Sequence, residues 1–168
     1  MLNIRNALKE EVAFIREQRV LAYSEHVKSI PLDHWNALKS SLSSDADSQP
    51  GVELIVAELN GEIVGSVALF PAKTDAYEGL VEELDYPEIR VLAVSPKARG
   101  KGIASRLITE CIERSQAKGF DSIGLHTGDF MEDAMKLYKR MGFQRLPQHD
   151  FEPANDGIIV KAFRLHIK

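Results

Sequence analysis

The sequence contains a single cysteine, Cys111, among 168 residues, so no disulfide can form within the chain. It also lacks a long hydrophobic run, and its first residues lead directly into charged ones, which disfavours a transmembrane helix or a secretory signal. We therefore expect a cytoplasmic protein without a membrane partner. Cys111 lies within an apolar helical pattern, and we expect its thiol to be buried.

The sequence also has fewer basic residues than acidic ones. There are 21 lysines and arginines against 25 acidic residues, a formal net charge of −4, which disfavours nucleic acid as the main partner. No group of histidines, cysteines or acids has the spacing of metal ligands, so no metal is expected. The hydrophobic share of 44% is ordinary for a globular protein, and residues 1–168 are most simply one domain.

Hydrophobic periodicity predicts seven strands and four helices. The predicted strands cover residues 2–5, 53–59, 62–70, 89–94, 122–127, a short stretch from 143 to 146, and 158–167. The predicted helices cover residues 9–26, 32–44, 102–118 and 130–141. Between the second and third strands stands Asn60-Gly61, a pair that permits positive φ at both turn positions and predicts a two-residue hairpin.

Residues 90–104 join a strand to a helix through a basic turn that contains glycine. Pro96 cannot donate to a sheet ladder and ends the strand, while Gly100 and Gly102 allow a tight turn and close approach of a ligand. The following helix leaves its first N–H groups without intrahelical partners, and its dipole favours negative charge there. Basic side chains surround the turn at Lys97, Arg99, Lys101 and Arg106. The turn therefore predicts a phosphate or pyrophosphate site.

Several motifs were compared with this turn. A P-loop is excluded, because Gly102 follows Lys101 and no glycine stands five residues before Gly100. A dinucleotide fingerprint matches at both glycines but has Ser105 in the third position, and Asp121 precedes a strand instead of ending one. A dinucleotide-binding oxidoreductase thus stays a third alternative. An ordinary strand-to-helix turn with surface cations is equally compatible with this stretch taken alone.

Two motifs together resemble a known family. Arg99, Gly102 and Ala104 satisfy R-x-x-G-x-A, which is similar to the pyrophosphate-binding signature of the GNAT family of N-acetyltransferases. Residues 134–143 read A-x-x-L-Y-x-x-x-G-F, which resembles a second segment of the same family. The two motifs stand in the family's order and at about its spacing, and the resemblance covers roughly residues 88–145.

The resemblance implies an α+β fold with a central mixed, mostly antiparallel sheet of about seven strands and about four helices on its two faces. It implies an acyl-CoA-dependent N-acetyltransferase that uses acetyl-CoA as cosubstrate and no metal. The acetyl group would pass to a primary amine of a small molecule or peptide by direct attack in a ternary complex. A non-catalytic acyl-CoA-binding sensor or regulatory module is the alternative. Many relatives pair through edge strands, so a homodimer is compatible with the resemblance.

The resemblance also implies which residues bind the cosubstrate. In the family, the strand that corresponds to residues 92–94 pairs with the pantetheine arm through its backbone, and the Val94 N–H would polarise the thioester carbonyl. The side chains of Leu92 and Val94 are at the same time expected in the sheet core. The full set of implied cofactor-binding residues is Leu92, Ala93, Val94, Arg99, Gly100, Lys101, Gly102, Ile103 and Ala104. One departure is Met131, which stands where many members have an asparagine that contacts pantetheine; Thr127 or Asp129 are the substitutes that we consider.

Two residues are implied as catalytic. Tyr138 corresponds to a tyrosine that assists the departing CoA sulfur, although its spacing alone would suit a core aromatic. Glu88 is the candidate general base, but strand alternation places it on the same face as Arg90, so a salt bridge is an equally good account. His126 is a weaker rival for the base. His26 and His149 lie in no motif and are expected at the surface.

The connection between the third and fourth strands is acidic. With Glu88 it carries six acids against one base, Lys73. The acids are Asp75, Glu78, Glu82, Glu83, Asp85 and Glu88. Such a run is typical of a solvated loop, and it is also compatible with an acceptor-site wall that favours a cationic amine.

Overall fold

The chain folds around one seven-stranded sheet. The structure is a computed structural model that describes residues 1–73 and 84–168. The strands are β1 (Leu2–Asn6), β2 (Glu53–Leu59), β3 (Glu62–Phe70), β4 (Glu88–Val94), β5 (Ser122–Gly128), β6 (Gln144–Arg145) and β7 (Val160–His166). They lie in the order β1-β2-β3-β4-β5-β7-β6, and among these pairs β4–β5 is parallel while the others are antiparallel. The predicted α+β fold with a mostly antiparallel sheet is confirmed.

Helices cover both faces of this sheet. They are α1 (Val12–Tyr23), α2 (Leu32–Leu42), α3 (Ile103–Ala117) and α4 (Glu132–Arg140). Apolar side chains of α3 and α4, such as Leu107 and Leu137, pack into one cluster with alternate residues of the strands. On the other face α1 contacts β3 and β4 and buries Ile15 and Ala22. Within the described ranges, no helix combines the length and apolar composition needed to cross a membrane.

Local sequence explains most element boundaries. Asn60 and Gly61 have φ of 51° and 87°, and Leu59 pairs with Glu62, so the predicted hairpin is present. Gly119 has φ of 88° just after α3, where a left-handed residue ends the helix. The first predicted helix was too long: α1 ends at Tyr23, and a 3-10 turn covers residues 24–29. The buried Cys111 is confirmed, and burial raises the pKa of its thiol to about 12.

A β-bulge interrupts β4 in the middle of the sheet. Ser66 pairs with Ala93 and Ala68 pairs with Arg90, so the single residue between them on β3 faces two residues, Val91 and Leu92, on β4. Val91 has φ of 48°, a left-handed conformation that costs about 1–3 kcal/mol for a residue other than glycine. Bulges bend a strand and end its pairing, and they often lie beside functional sites.

The parallel pair separates at this bulge. Glu88 pairs with Gly124 and Ile89 with Leu125, and the register of β4 with β5 extends no further among the described residues. Strand β5 instead continues alongside β7 to Gly128. The separation leaves a gap in the sheet between the carboxyl ends of two adjacent parallel strands.

A buried ion pair holds α1 in place beside this gap. The side chains of Arg19 and Asp47 are 1% and 2% exposed, and Arg19 Nη1 lies 3.0 Å from Asp47 Oδ2. Asp47 also accepts from Arg16 Nη2 at 2.6 Å, and Arg19 donates to the Leu42 carbonyl. Burial would raise the pKa of Asp47, but the hydrogen bonds and charges of the two arginines outweigh it, and the pKa is lowered. Asp47 therefore contributes stability above the ordinary carboxyl pKa, and that contribution is lost as the pH falls through the lowered one.

We predict that Asp47→Ala lowers the free energy of unfolding by about 3–5 kcal/mol, because it leaves the Arg19 guanidinium buried without its counter-charge. The comparison variant is Arg19→Met, which leaves Asp47 paired with Arg16 and removes two buried donors, Nε and Nη2, that have no hydrogen-bond partner among residues 1–73 and 84–168. It should cost about 1 kcal/mol or less. Denaturant unfolding at neutral pH measures both values. Equal losses in the two variants would contradict a charge-pair role for Asp47.

Candidate active site

A groove of about 480 Å³ lies where β4 and β5 separate. Residues 92–94 of β4 form one side, together with the turn and the first residues of α3. The carboxyl end of α1 and the residues that follow it form the opposite side. Helix α4 and the two residues before it close the third side. The bulge in β4 therefore opens directly into the groove.

The predicted cofactor residues gather around this groove. Eight of the nine line it, and Lys101, the ninth, is exposed beside it. Gly100 and Gly102 have φ of 78° and 74°, so the turn uses the conformational freedom of both glycines. The first helical bond of α3 joins the Arg106 N–H to the Gly102 carbonyl at 3.1 Å. The three preceding N–H groups thus lack intrahelical partners at the wall of the groove, where they can bind an anion.

Arg99 has protein partners that the sequence did not indicate. Its guanidinium forms a salt bridge with Glu25 and donates to the Ala22 carbonyl at 3.3 Å. A further bond of 3.4 Å joins Arg99 Nε to the Val94 carbonyl. Ala22 lies in the last turn of α1, where carbonyl groups need external donors. The side chain of Arg99 therefore fastens the turn before α3 to the end of α1.

Two tyrosines lie in the groove. Tyr138 is 5% exposed, and burial together with the neighbouring Tyr23 raises the pKa of its hydroxyl well above the ordinary value. Burial also raises the pKa of Tyr23, to about 12, although the positive charge of Arg19 opposes the rise. Both hydroxyls are therefore protonated at neutral pH and able to donate. The ring of Tyr138 packs against Phe143 and Phe163, which fixes its position.

The departure at Met131 changes the chemistry of one wall. Met131 lines the groove, and its sulfur accepts from the Thr127 hydroxyl at 3.5 Å. Asp129 bonds with both backbone groups of Ile159, at 2.9 and 3.1 Å. Neither Thr127 nor Asp129 lines the groove, so this wall presents a thioether where an amide was expected.

Glu88 and His126, predicted as rivals, lie in contact outside the groove. Glu88 is 3% exposed and accepts from Arg90 Nε at 2.9 Å, which is the expected salt bridge. Its other oxygen lies 2.6 Å from His126 Nδ1. The second ring nitrogen of His126 lies 3.1 Å from the His149 carbonyl oxygen. Both nitrogens of His126 thus face acceptors. The role of Glu88 as a base stays a prediction.

His26 and Tyr23 belong to the groove and were not identified from the sequence. The expectation of a surface position for His26 was wrong: the side chain is half-buried and lines the groove. No motif surrounds either residue, and only the packing of α1 against β4 brings them to the site. In the acidic connection, Asp75, Glu78, Glu82 and Glu83 lie outside the described residues. Within residues 1–73 and 84–168, no group of three metal-ligating side chains is assembled.

Comparison with known proteins identifies the family. The model of the acetyltransferase (GNAT) family matches residues 14–143. The chain is 32% identical over 99 residues to the uncharacterized N-acetyltransferase YjgM of Escherichia coli, covering 59% of this chain and 55% of that protein. It is 34% identical over 145 residues to the uncharacterized N-acetyltransferase MJ1207 of Methanocaldococcus jannaschii, covering 84% and 60%. The chain spans about half the length of the curated relatives that it matches.

Solved structures show the same fold. A GNAT-family acetyltransferase from Staphylococcus aureus Mu50 superposes with a TM-score of 0.73 at 17% identity, over the full length of both chains. The yncA structure from Salmonella typhimurium, determined with its cofactor acetyl-CoA, gives a TM-score of 0.67 at 20% identity and covers 99% of this chain and 94% of that one. With both motifs on one groove and the family model matching residues 14–143, the chain belongs to the acetyltransferase (GNAT) family.

Proposed function

We propose that this protein is an N-acetyltransferase that transfers the acetyl group of acetyl-CoA to a primary amine of a small molecule or peptide. The observation that carries the proposal is the groove itself, where the edge of β4 meets the N-terminus of α3. The yncA structure, which contains acetyl-CoA, supports the choice of cosubstrate.

In this proposal the pyrophosphate lies on the N–H groups of residues 103–105, with Lys101 and Arg106 supplying positive charge from the exposed side. The pantetheine arm pairs with the edge of β4 that faces the groove, at Leu92 and Val94. The thioester carbonyl then accepts a hydrogen bond from the Val94 N–H, which stabilises the negative charge that develops on that oxygen during attack.

The amine attacks the thioester directly. Cys111 is fully buried, and its raised pKa keeps the thiol protonated, so it does not serve as an acyl carrier. The nitrogen forms a bond to the carbonyl carbon, the carbon–sulfur bond breaks, and the electron pair leaves on sulfur. Tyr138 donates its proton to that thiolate, and the phenolate is reprotonated from solvent.

One proton must also leave the amine nitrogen. Glu88 is the acceptor that the sequence predicts, and in this proposal it is one candidate for that role. Because Glu88 is buried outside the groove and paired with Arg90, it would reach the amine only through an intermediary.

The direct test is release of free CoA in a mixture of the protein, acetyl-CoA and a pooled library of primary amines. We expect thiol to appear faster than in the control without amines, because amine attack adds to slow hydrolysis. Acetyl-CoA binding without turnover on any amine would contradict the enzyme and favour a sensor.

We predict that Tyr138→Phe lowers kcat by about 10- to 1,000-fold and leaves the Kd for acetyl-CoA within a factor of about two. The ring and its packing on Phe143 and Phe163 are retained, and only the hydroxyl is lost. Rapid-quench experiments measure the rate constant of the acetyl-transfer step. An unchanged rate constant would show that Tyr138 serves packing alone.

A further inference from the structure

Among the described residues that line the groove, four have side chains that can accept a proton. Three are carboxylates, Glu25, Glu132 and Asp133, and the fourth is the imidazole of His26. Glu25 is occupied by its salt bridge with Arg99. Glu132 and Asp133 lie exposed to solvent in the first turn of α4. His26 is the one whose chemistry suits proton transfer near neutral pH.

The contacts of His26 leave one ring nitrogen available. Nε2 lies 3.3 Å from Glu25 Oε1 in an ion-pair contact, and Nδ1 makes no hydrogen bond to any residue in the described part of the chain. A carboxylate attracts an N–H and repels a lone pair, so this contact favours the tautomer of the neutral ring with hydrogen on Nε2, and Nδ1 then carries a lone pair. Glu25 orients the imidazole and would stabilise the positive charge formed on protonation. This is the way a carboxylate supports a histidine base in other enzymes.

Aromatic contacts hold the ring in the groove. His26 meets Phe130 edge-on, with ring centroids 5.3 Å apart, and lies 6.5 Å from the ring of Tyr23. The side chain is 19% exposed, which leaves one side open to a bound molecule. Tyr23 lies close enough to Tyr138 to raise its pKa. His26 and the proposed proton donor therefore belong to the same part of the groove.

The electrostatic surroundings keep His26 neutral. Burial lowers its pKa below the ordinary histidine value, although Asp133 of α4 opposes the shift. The charged groups that face it are Glu25 on its own segment, Asp133 on α4 and, through Glu25, Arg99 before α3. The ring of Phe130 also contacts His34, whose Nδ1 lies 2.8 Å from Asp156 Oδ2. The unprotonated ring thus predominates at neutral pH, as a general base requires.

The Glu88–His126 pair lacks these properties. Its histidine has both nitrogens directed at acceptor oxygens, and its carboxylate accepts from Arg90 and from the ring. Neither residue lines the groove.

We propose that His26 is the general base of the acetyl transfer, with Glu25 as its positioning residue. This inference rests on the proposed function. As the amine nitrogen bonds to the carbonyl carbon, one N–H proton passes to His26 Nδ1, and the imidazolium returns it to solvent after the amide has formed. The proton that restores the thiol comes separately from Tyr138, so one proton is released and one is supplied in each turnover.

The test compares His26→Gln with His34→Gln, using acetyl-CoA and the amine that releases most CoA in the pooled library. Gln at position 26 can keep a donor toward Glu25 but cannot accept a proton. Residue 34 is a matched control, because His34 packs on the same Phe130 and does not line the groove. We expect His26→Gln to lower kcat by about 100- to 10,000-fold with an unchanged Kd for acetyl-CoA, and His34→Gln to retain most of the activity.

The pH profile separates a base from a packing residue. In the wild type, kcat should decrease as the pH is lowered through the pKa of His26, because protonation removes the lone pair that accepts the amine proton. This limb should vanish in His26→Gln and persist in Glu88→Gln. Added imidazole should restore part of the rate to His26→Ala by entering the space left by the ring.

Two results would overturn the assignment. One is a kcat of His26→Gln equal to that of the wild type. The other is an acidic limb of the kcat profile that disappears in Glu88→Gln and persists in His26→Gln. Either leaves the proposed function intact, since acetyl transfer by the wild type is measured independently. If the wild type transfers the acetyl group to no amine in the library, the proposed function itself is rejected.

Discussion

The site depends on a backbone constraint in β4, where Val91 adopts a left-handed conformation and the strand bulges away from β5. A β-branched residue reaches this conformation only at a cost of about 1–3 kcal/mol, so the packing on both faces of the sheet must impose it. Regular pairing through Val94 would fill the edge of β4 with bonds to β5 and close the groove. The strain in one residue therefore creates an open strand edge inside a sheet, beside a helix start that can bind an anion.

The end of α1 completes the groove from the opposite side, and charged contacts hold it there. The salt bridge between Arg19 and Asp47 anchors the middle of the helix, and both side chains are almost fully buried. Arg99 fastens its last turn to the turn before α3 and holds Glu25, which contacts His26. The same contacts that stabilise α1 also place Tyr23 and His26 along the wall. Stability and function are linked through this helix, because loss of its position would remove two of the polar groups of the groove.

The sequence was sufficient for features that depend on local chemistry. Asn60-Gly61 predicts the hairpin, Gly100 and Gly102 allow the turn with positive φ, and the resemblance at Tyr138 leads to a residue that lies in the groove. It was insufficient for features created by packing. Val91 reads as an ordinary strand residue, and nothing near His26 distinguishes it from a surface histidine. The contact between Glu88 and His126 joins residues 38 positions apart, and strand alternation could place each on a face without showing that they touch.

The central claim is that the turn before α3 binds the pyrophosphate of acetyl-CoA, and calorimetry on two matched variants tests it most directly. Gly102→Asp and Gly119→Asp introduce the same side chain at positive φ, of 74° and 88°, and at both positions a new Cβ meets nothing within 4 Å. The backbone cost, about 1–2 kcal/mol, should therefore be similar. Position 102 begins α3 at the groove, whereas position 119 lies beyond its other end. The account predicts a Kd for acetyl-CoA about 100-fold higher or more in Gly102→Asp, because charge-assisted bonds of roughly 1.5–3 kcal/mol each are lost and like charges meet. Gly119→Asp should bind as the wild type does. Equal affinity in the two variants would contradict the assignment of the groove to acetyl-CoA.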